Sequence, residues 1–324
     1  MNGVVDTHVH VFTGIFGKWV PNLSRGPFSK VFAEEPIQNL KRQARNWTKP
    51  VSGSIHHVQT LLRYLPQSVR VQLDPLAGTV PLPRLLIEST PLDLKEAMLE
   101  AQVDYAWLIA HPPFISNETV MELCADNSNW IPIVNIHKKT PKPGQALRRY
   151  AEKGARALKI HAAADGEGPD SPRYRALIRA ASDLGLPVIL HTGCMNCRPF
   201  CQDPSQGLAE RFSKWYETYS KTQFILAHMN FHDPNTALDL CEEFPNLWVD
   251  TSWQPTEIIG EAVRRMGADR VLFGSDWPFV GNNMMVGRKR VQDGVESGLL
   301  NVEQAKLILG ENAMKLLGMS INAD

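Results

Sequence analysis

From Thr90 onward the chain alternates short apolar runs with helical stretches, and few residues separate them. The apolar runs read as strands over Asp104–Ala110, Trp130–Ile136, Ala155–His161, Pro187–His191, Gln223–His228, Leu247–Thr251 and Arg270–Gly274. Helices are expected over Leu92–Ala101, Asn117–Ala125, Gly144–Lys153, Pro172–Leu184, Gln206–Tyr219, Pro234–Glu243 and Thr256–Met266, with two more at Asn301–Leu309 and Asn312–Leu317. Gly185 stops one of them, as a glycine after the last helical turn commonly does. Val4–His10 adds an eighth strand. Strict alternation forces parallel pairing through crossover helices. Eight such units in 324 residues predict an α/β fold, a (β/α)8 TIM barrel, with residues 1–324 as a single domain. An open doubly wound sheet competes with it, but no Gly-x-Gly-x-x-Gly follows the first strand.

One segment breaks the rhythm. Residues 11–90 form a long insertion after the first strand, rich in Pro, Gly and aromatic residues. Helices are expected in it near Glu35–Trp47 and Ile55–Leu65, and a Pro-dense stretch, Pro75–Pro91, ends it. Trp19, Phe28, Phe32, Trp47 and Tyr64 argue against disorder. A long ordered insertion placed here predicts a lid over the barrel mouth.

Charge and cysteine content exclude whole classes of function. Lys plus Arg and Asp plus Glu both number 34, so no net field points to nucleic acid. No apolar run approaches the roughly 20 residues of a spanning helix, and no basic amphipathic run suggests a membrane surface. A candidate motif begins at Asp6, which leaves no room for a signal peptide. Cys124, Cys194, Cys197, Cys201 and Cys241 lack the spacing of a disulfide framework. A cytoplasmic location and a small-molecule partner are therefore expected, with self-association left open.

Polar residues collect at the strand ends. Asp6-Thr7-His8-Val9-His10 closes the first strand, where His8 and His10 point the same way about 7 Å apart and could share one metal ion. Lys159 and His161 end the fourth strand, His191 the fifth and His228 the sixth, and Asp276 stands just past the eighth. A barrel brings these ends to one mouth, where active sites sit. Alternation places Lys159 and His161 on one face with Ala157, His191 with Ile189, and His228 with Leu226 and Phe224. A single histidine in an apolar strand is commonly a packed core residue. Five strand ends all finishing in His, Lys or Asp are not explained by packing.

Taken together, several segments resemble the amidohydrolase superfamily. They are Asp6-Thr7-His8-Val9-His10, Gly154-Ala155-Arg156-Ala157-Leu158-Lys159-Ile160-His161, Ile189-Leu190-His191-Thr192-Gly193, Leu226-Ala227-His228 and Phe273-Gly274-Ser275-Asp276-Trp277-Pro278. The closest likeness is to its amidohydrolase-related branch of metal-dependent hydrolases and decarboxylases. Leu309-Gly310-Glu311-Asn312-Ala313 resembles that branch's closing helix. The likeness covers residues 4–10 and 90–318, and nothing in the insertion adds to it. It implies a distorted barrel with a divalent metal at the mouth. In a one-ion form it implies His8, His10, His191 and Asp276 as ligands, with His228 beside them as acid/base or electrophile. In a two-ion form a carboxylated Lys159 would bridge, and His191 and His228 would serve the second ion. His161 and the Cys-rich loop after His191 depart from the simpler pattern.

The chemistry of these side chains agrees. Zinc, the first choice for such donors, accepts imidazole and carboxylate and keeps a position open in catalytic sites. Water held there loses a proton near neutral pH, and Asp276 could take it and pass it on. His228 could polarise the scissile carbonyl. Lys159 and His161 could neutralise a substrate carboxylate, although a structural ion pair explains Lys159 equally well. Arg198 suits an anionic substrate, and Trp253 and Trp277 could wall the pocket. Cys194, Cys197 and Cys201 lack a fourth thiol, which favours a reduced loop over a metal or cluster site. The expected function is hydrolysis of a small lactone, ester or amide, with or without a carboxylate. The alternatives are a non-oxidative decarboxylase of the same branch and a metal- or ligand-binding barrel without catalysis. His-x-His rather than Glu-x-His at the first strand favours hydrolysis, and the full set of candidate ligands favours an enzyme.

Overall fold

The computed structural model describes residues 3–12, 65–66, 69, 72–73, 89–193, 201–279 and 283–319. Most of the expected lid and its two helices, together with Arg198, Cys194 and Cys197, fall outside the described residues. Eight parallel strands follow one another around the sheet in chain order. They are β1 Val5–Val9, β2 Tyr105–Ile109, β3 Trp130–Val134, β4 Ala157–Ile160, β5 Val188–His191, β6 Phe224–Ala227, β7 Leu247–Asp250 and β8 Val271–Leu272. The helices are α1 Pro91–Ala101, α2 Asn117–Ala125, α3 Pro143–Glu152, α4 Ala162–Asp165, α5 Pro172–Leu184, α6 Ser213–Thr218, α7 Pro234–Glu243, α8 Thr256–Met266, α9 Asn283–Glu296, α10 Val302–Lys306 and α11 Asn312–Leu316. None of the helices among the described residues is long and apolar enough to cross a membrane.

Local chemistry sets the helix boundaries. Thr90 caps α1 in a reciprocal box with Asp93, and Ser171 caps α5, which ends on left-handed Gly185. The sequence reading assigned nothing to α9. Gly287 and Gly294 depress its intrinsic propensity, but Met284 and Val291 bury fully on one of its faces. Packing of that apolar stripe outweighs the local preference.

Two apolar layers result. Val5, Trp107, Ile109, Ile133, Ala157, Ile189, Ile225, Ala227 and Leu272 fill the barrel, joined by Ala313, Met314 and Leu317 from the closing helix. Arg156, just before β4, donates to the Leu317 carbonyl, which places that helix across the N-terminal end. A larger layer, including Val9, Leu108, Leu158, Leu190, Phe224, Leu226 and Val249, lies between strands and helices.

The barrel closes irregularly. β8 has only two residues, and the chain after it meets β1 instead. Thr7 N donates to Phe273 O (2.9 Å), Asp276 N to His8 O (2.8 Å) and His10 N to Trp277 O (2.8 Å). The register of β1 against β2 shifts between Asp6 and Val9. The slip changes the phase of β1: Val4 packs in the outer layer and Val5 in the barrel, yet His8 and His10 both face the mouth. The barrel is distorted where these candidate ligands sit.

Candidate active site

Every strand except β3 delivers a histidine or a carboxylate to the mouth. Six imidazoles form a closed circuit there. Ring centroids lie 5.3 Å apart for His8–His10, 5.7 Å for His10–His111, 5.8 Å for His111–His161, 3.7 Å for His161–His191, 4.6 Å for His191–His228 and 4.7 Å for His228–His8. Lys159 and Asp276 reach the same space: Lys159 Nζ is 3.1 Å from His8 Nε2, and Asp276 Oδ1 is 3.5 Å from both His8 Nε2 and His10 Nε2.

Hydrogen bonds decide which ring nitrogen carries the proton. His8 Nδ1 sits 2.8 Å from Asp250 Oδ2, and His10 Nδ1 sits 3.2 Å from the Ile109 carbonyl. Both partners only accept, so both Nδ1 atoms donate. His228 Nδ1 lies 2.7 Å from Ser252 Oγ, whose own hydroxyl donates to Asp250 Oδ1. The Ser252 oxygen therefore accepts from His228 Nδ1–H. The Nε2 lone pairs of His8, His10 and His228 are thus left for the mouth. His161 takes the other form: its Nδ1 accepts from Ala164 N–H (3.2 Å), so Nε2 carries the hydrogen. His191 meets this group through its Nδ1, 3.3 Å from His228 Nε2.

Asp250 was not among the residues singled out from the sequence, nor was His111. Asp250 Oδ1 also accepts from His228 N (2.9 Å) and Ser252 N (3.1 Å), so one buried carboxylate serves both His8 and His228. The strand-end rule that found His191 would have found it, had Asp250 been read as the end of β7 rather than its interior. His111 closes the apolar run of β2 and precedes two prolines, the same signal again.

Electrostatics matches this bonding. Burial pushes His228 and His111 down to about 3, and His161 and His191 fall well below the ordinary imidazole range for the same cause. Burial also lowers Lys159 to about 8, against the pull of Asp250 and Asp276. For Asp250 and Asp276, burial would raise the carboxyl, but the facing His8 and His228 rings outweigh it and hold both below the usual range. The site thus sets two anionic carboxylates and the Lys159 amine among His111, His161, His191 and His228, which burial keeps neutral.

Two sequence expectations change. His228 does not share a face with Leu226 and Phe224, which lie in the outer layer. Its φ of 63° turns the ring inward, and Met229, fully buried in that outer layer, takes the place that alternation assigned to it. Trp277 also packs in the outer layer rather than along the pocket. Trp253 does reach the mouth, where its Nε1–H donates to Asp276 Oδ2 at 2.6 Å. Asp276 has no pairing with Arg270 or Arg288, whose guanidinium groups engage main-chain carbonyls and, for Arg288, Gln102. Gly274 matters for the same corner: a Cβ there would lie 3.1 Å from His8 Cβ and 3.2 Å from Asp250 Cβ.

These donors fit a cation. One ligand atom each from His8, His228 and Asp276 lie within 4.8 Å of one another. Imidazole lone pairs facing a carboxylate repel it unless positive charge stands between them, and nitrogen with oxygen donors suits a divalent transition ion. His10 Nε2 borders the same Asp276 oxygen, and the hydrogen-bonded Nδ1 atoms orient the rings as metal-ligating histidines are usually oriented.

A family model described as Amidohydrolase matches residues 5–319. No curated protein matches the chain. Among solved structures it is similar to an uncharacterised TIM-barrel protein from Bordetella bronchiseptica at 16% identity, over 97% of this chain and 98% of that one, with a TM-score of 0.65. It is also similar to the 5-carboxyvanillate decarboxylase LigW from Sphingomonas paucimobilis (12% identity, 99% and 100% covered, TM-score 0.63). A third is a probable 2-pyrone-4,6-dicarboxylic acid hydrolase from Acinetobacter baumannii (14% identity, 98% and 100% covered, TM-score 0.56). Identities this low carry the fold and not the reaction.

Proposed function

The chain belongs to the amidohydrolase family, and from that premise we propose that it is a metal-dependent hydrolase of a small lactone, ester or amide. The observation that supports this most is Asp276: an ionised, buried carboxylate aimed at the Nε2 atoms of His8 and His10. His8, His228 and Asp276, with His10 bordering them and His191 beside His228, would hold a divalent ion, zinc first, and the ion when bound would make water acidic and polarise a carbonyl.

The chain's own residues divide the remaining work. Trp253 occupies Asp276 Oδ2, which leaves Oδ1 to accept a proton from the attacking water and return it to the leaving group. His228 presents a lone pair, so it suits a base or ligand and not a hydrogen-bond donor to an oxyanion. The donors are Lys159 Nζ and His161 Nε2–H, which suit a developing oxyanion or a substrate carboxylate. Burial holds His111, His161, His191 and His228 neutral, so these four add no competing positive charge.

Loss of carbon dioxide from an aromatic acid is the second reading. Its support is the donor pair Lys159 Nζ and His161 Nε2–H, which could hold an aromatic acid, while Asp276 could relay a proton taken from solvent water to the ring carbon as carbon dioxide leaves. The metal-loaded protein, offered lactones, esters, amides and hydroxylated aromatic acids, decides between them. A titratable proton without carbon dioxide is expected. Carbon dioxide release from an acid, with no hydrolysis, would overturn the proposal in favour of the second reading, and no turnover of any substrate would favour a binding barrel.

A further inference from the structure

Four consecutive residues that are not glycine have positive φ at the end of β6: His228 (63°), Met229 (44°), Asn230 (59°) and Phe231 (49°). Side chains with a Cβ disfavour that region, so such a run persists only where outside partners over-determine it. Two fully buried side chains from neighbouring strand ends supply those partners. Gln254, after β7, donates from Nε2 to the carbonyls of His228 (2.6 Å) and Phe231 (3.2 Å), the two ends of the run. Thr192, after β5, donates from Oγ1 to the Ala227 carbonyl (2.6 Å) and accepts from Asn230 N (3.0 Å).

We propose that Gln254 and Thr192 are positioning residues that hold this turn and thereby keep the His228 ring in the barrel mouth. The alternative backbone is evident from β6 itself. Ile225 and Ala227 face the barrel while Phe224 and Leu226 face the helices, so an unturned chain would send residue 228 outward. With the turn, Met229 fills the outer layer and His228 Nδ1 reaches Ser252. The hydrogen bonds just given for both residues act on the main chain that carries one of the candidate metal donors. The proposal rests on His228 belonging to the site described above, not on the reaction assigned to it.

The test uses the full chain labelled with 15N at histidine, free of metal, with His228→Gln identifying the His228 signals. Gln254→Met keeps volume but removes the donor, and Thr192→Val removes only a hydroxyl. In the unsubstituted protein His228 should hold one tautomer, with its two ring nitrogens widely separated in shift. In either variant that separation should fall by at least half for His228 while His8 and His10 keep theirs. An unchanged His228 in the folded variants overturns the proposal, and so does an equal change in all six mouth histidines, which would mean general loosening. Should Gln254→Met fold poorly, Thr192→Val carries the measurement. Adding Co2+ separates this proposal from the preceding one. If no ring of the unsubstituted protein responds to the ion, the metal reading fails while the tautomer result still decides the positioning role.

Discussion

The Asp250 carboxylate and the His8 imidazole meet at 2.8 Å although 242 positions separate them, and they do so past Gly274. β8 lies between their strands, and a side chain at position 274 would crowd the contact, its Cβ falling 3.1 Å from His8 Cβ and 3.2 Å from Asp250 Cβ. The other Asp250 oxygen takes the main-chain N–H of His228. One carboxylate therefore orients two candidate ligands. Asp250 lies next to the segment that supplies Ser252, Trp253 and Gln254 to His228 and Asp276. The end of β7 and the chain after it thus contact His8, His228 and Asp276 from behind.

Replacing Asp250 by Asn tests that arrangement. Three donors converge on Oδ1 and one on Oδ2, so an amide NH2 faces a donor in either orientation. Divalent-ion affinity should fall by about 10- to 100-fold, the usual scale for a group that orients a ligating histidine. Competition against a chromophoric chelator measures it, and an unaltered affinity would refute the role.

Gly274→Ala should cost about 1–3 kcal/mol, the range for overpacking a filled core. The added methyl presses on both His8 and Asp250. The expected result is a lower denaturant midpoint together with weaker ion binding in the same preparation. Loss of stability with full ion affinity would show that the strain relaxes away from the site.

Asp276→Asn preserves size and removes basicity. The turnover number should drop by about 100-fold or more, as for a lost general base. Circular dichroism should be unchanged, and much of the bound ion should remain. Near-normal turnover with a reduced melting temperature would mean that Asp276 serves structure alone.

The fourth expectation concerns the ion itself. As purified, the chain should carry about one divalent ion, two at most, in keeping with a small cluster of nitrogen and oxygen donors. His8→Ala combined with His10→Ala should abolish it. In the unsubstituted protein chelation should lower the melting temperature, because an ion present at 100 times its Kd stabilises by about 2.7 kcal/mol. Elemental analysis finding full occupancy in the double variant would remove β1 from the site.

Most of the candidate site was legible because strand ends are local features. His8, His10, Lys159, His161, His191, His228 and Asp276 each close or follow an apolar run, and the barrel brings such ends together. Asp250 and His111 carried the same signal and were passed over. Thr192 and Gln254 carried none: a threonine or a glutamine in a loop looks like any solvated residue until its burial is known.

The sequence by itself determined the number and order of strands, most of the helices and the end of the barrel at which polar residues gather. Those follow from periodicity and capping, which act between near neighbours in the chain. Only the tertiary structure decided the phase slip in β1, the formation of α9, the inward turn of His228, the outward packing of Trp277 and the nitrogen each histidine presents. Each depends on a partner from a distant element: Asp250 for His8, Gln254 and Thr192 for the turn, the core layer for Met284 and Val291. A two-residue period predicts which face a side chain takes only while the strand stays regular. At this mouth the strands stop being regular, since hydrogen bonds from neighbouring loops stabilise backbone conformations that local preference disfavours.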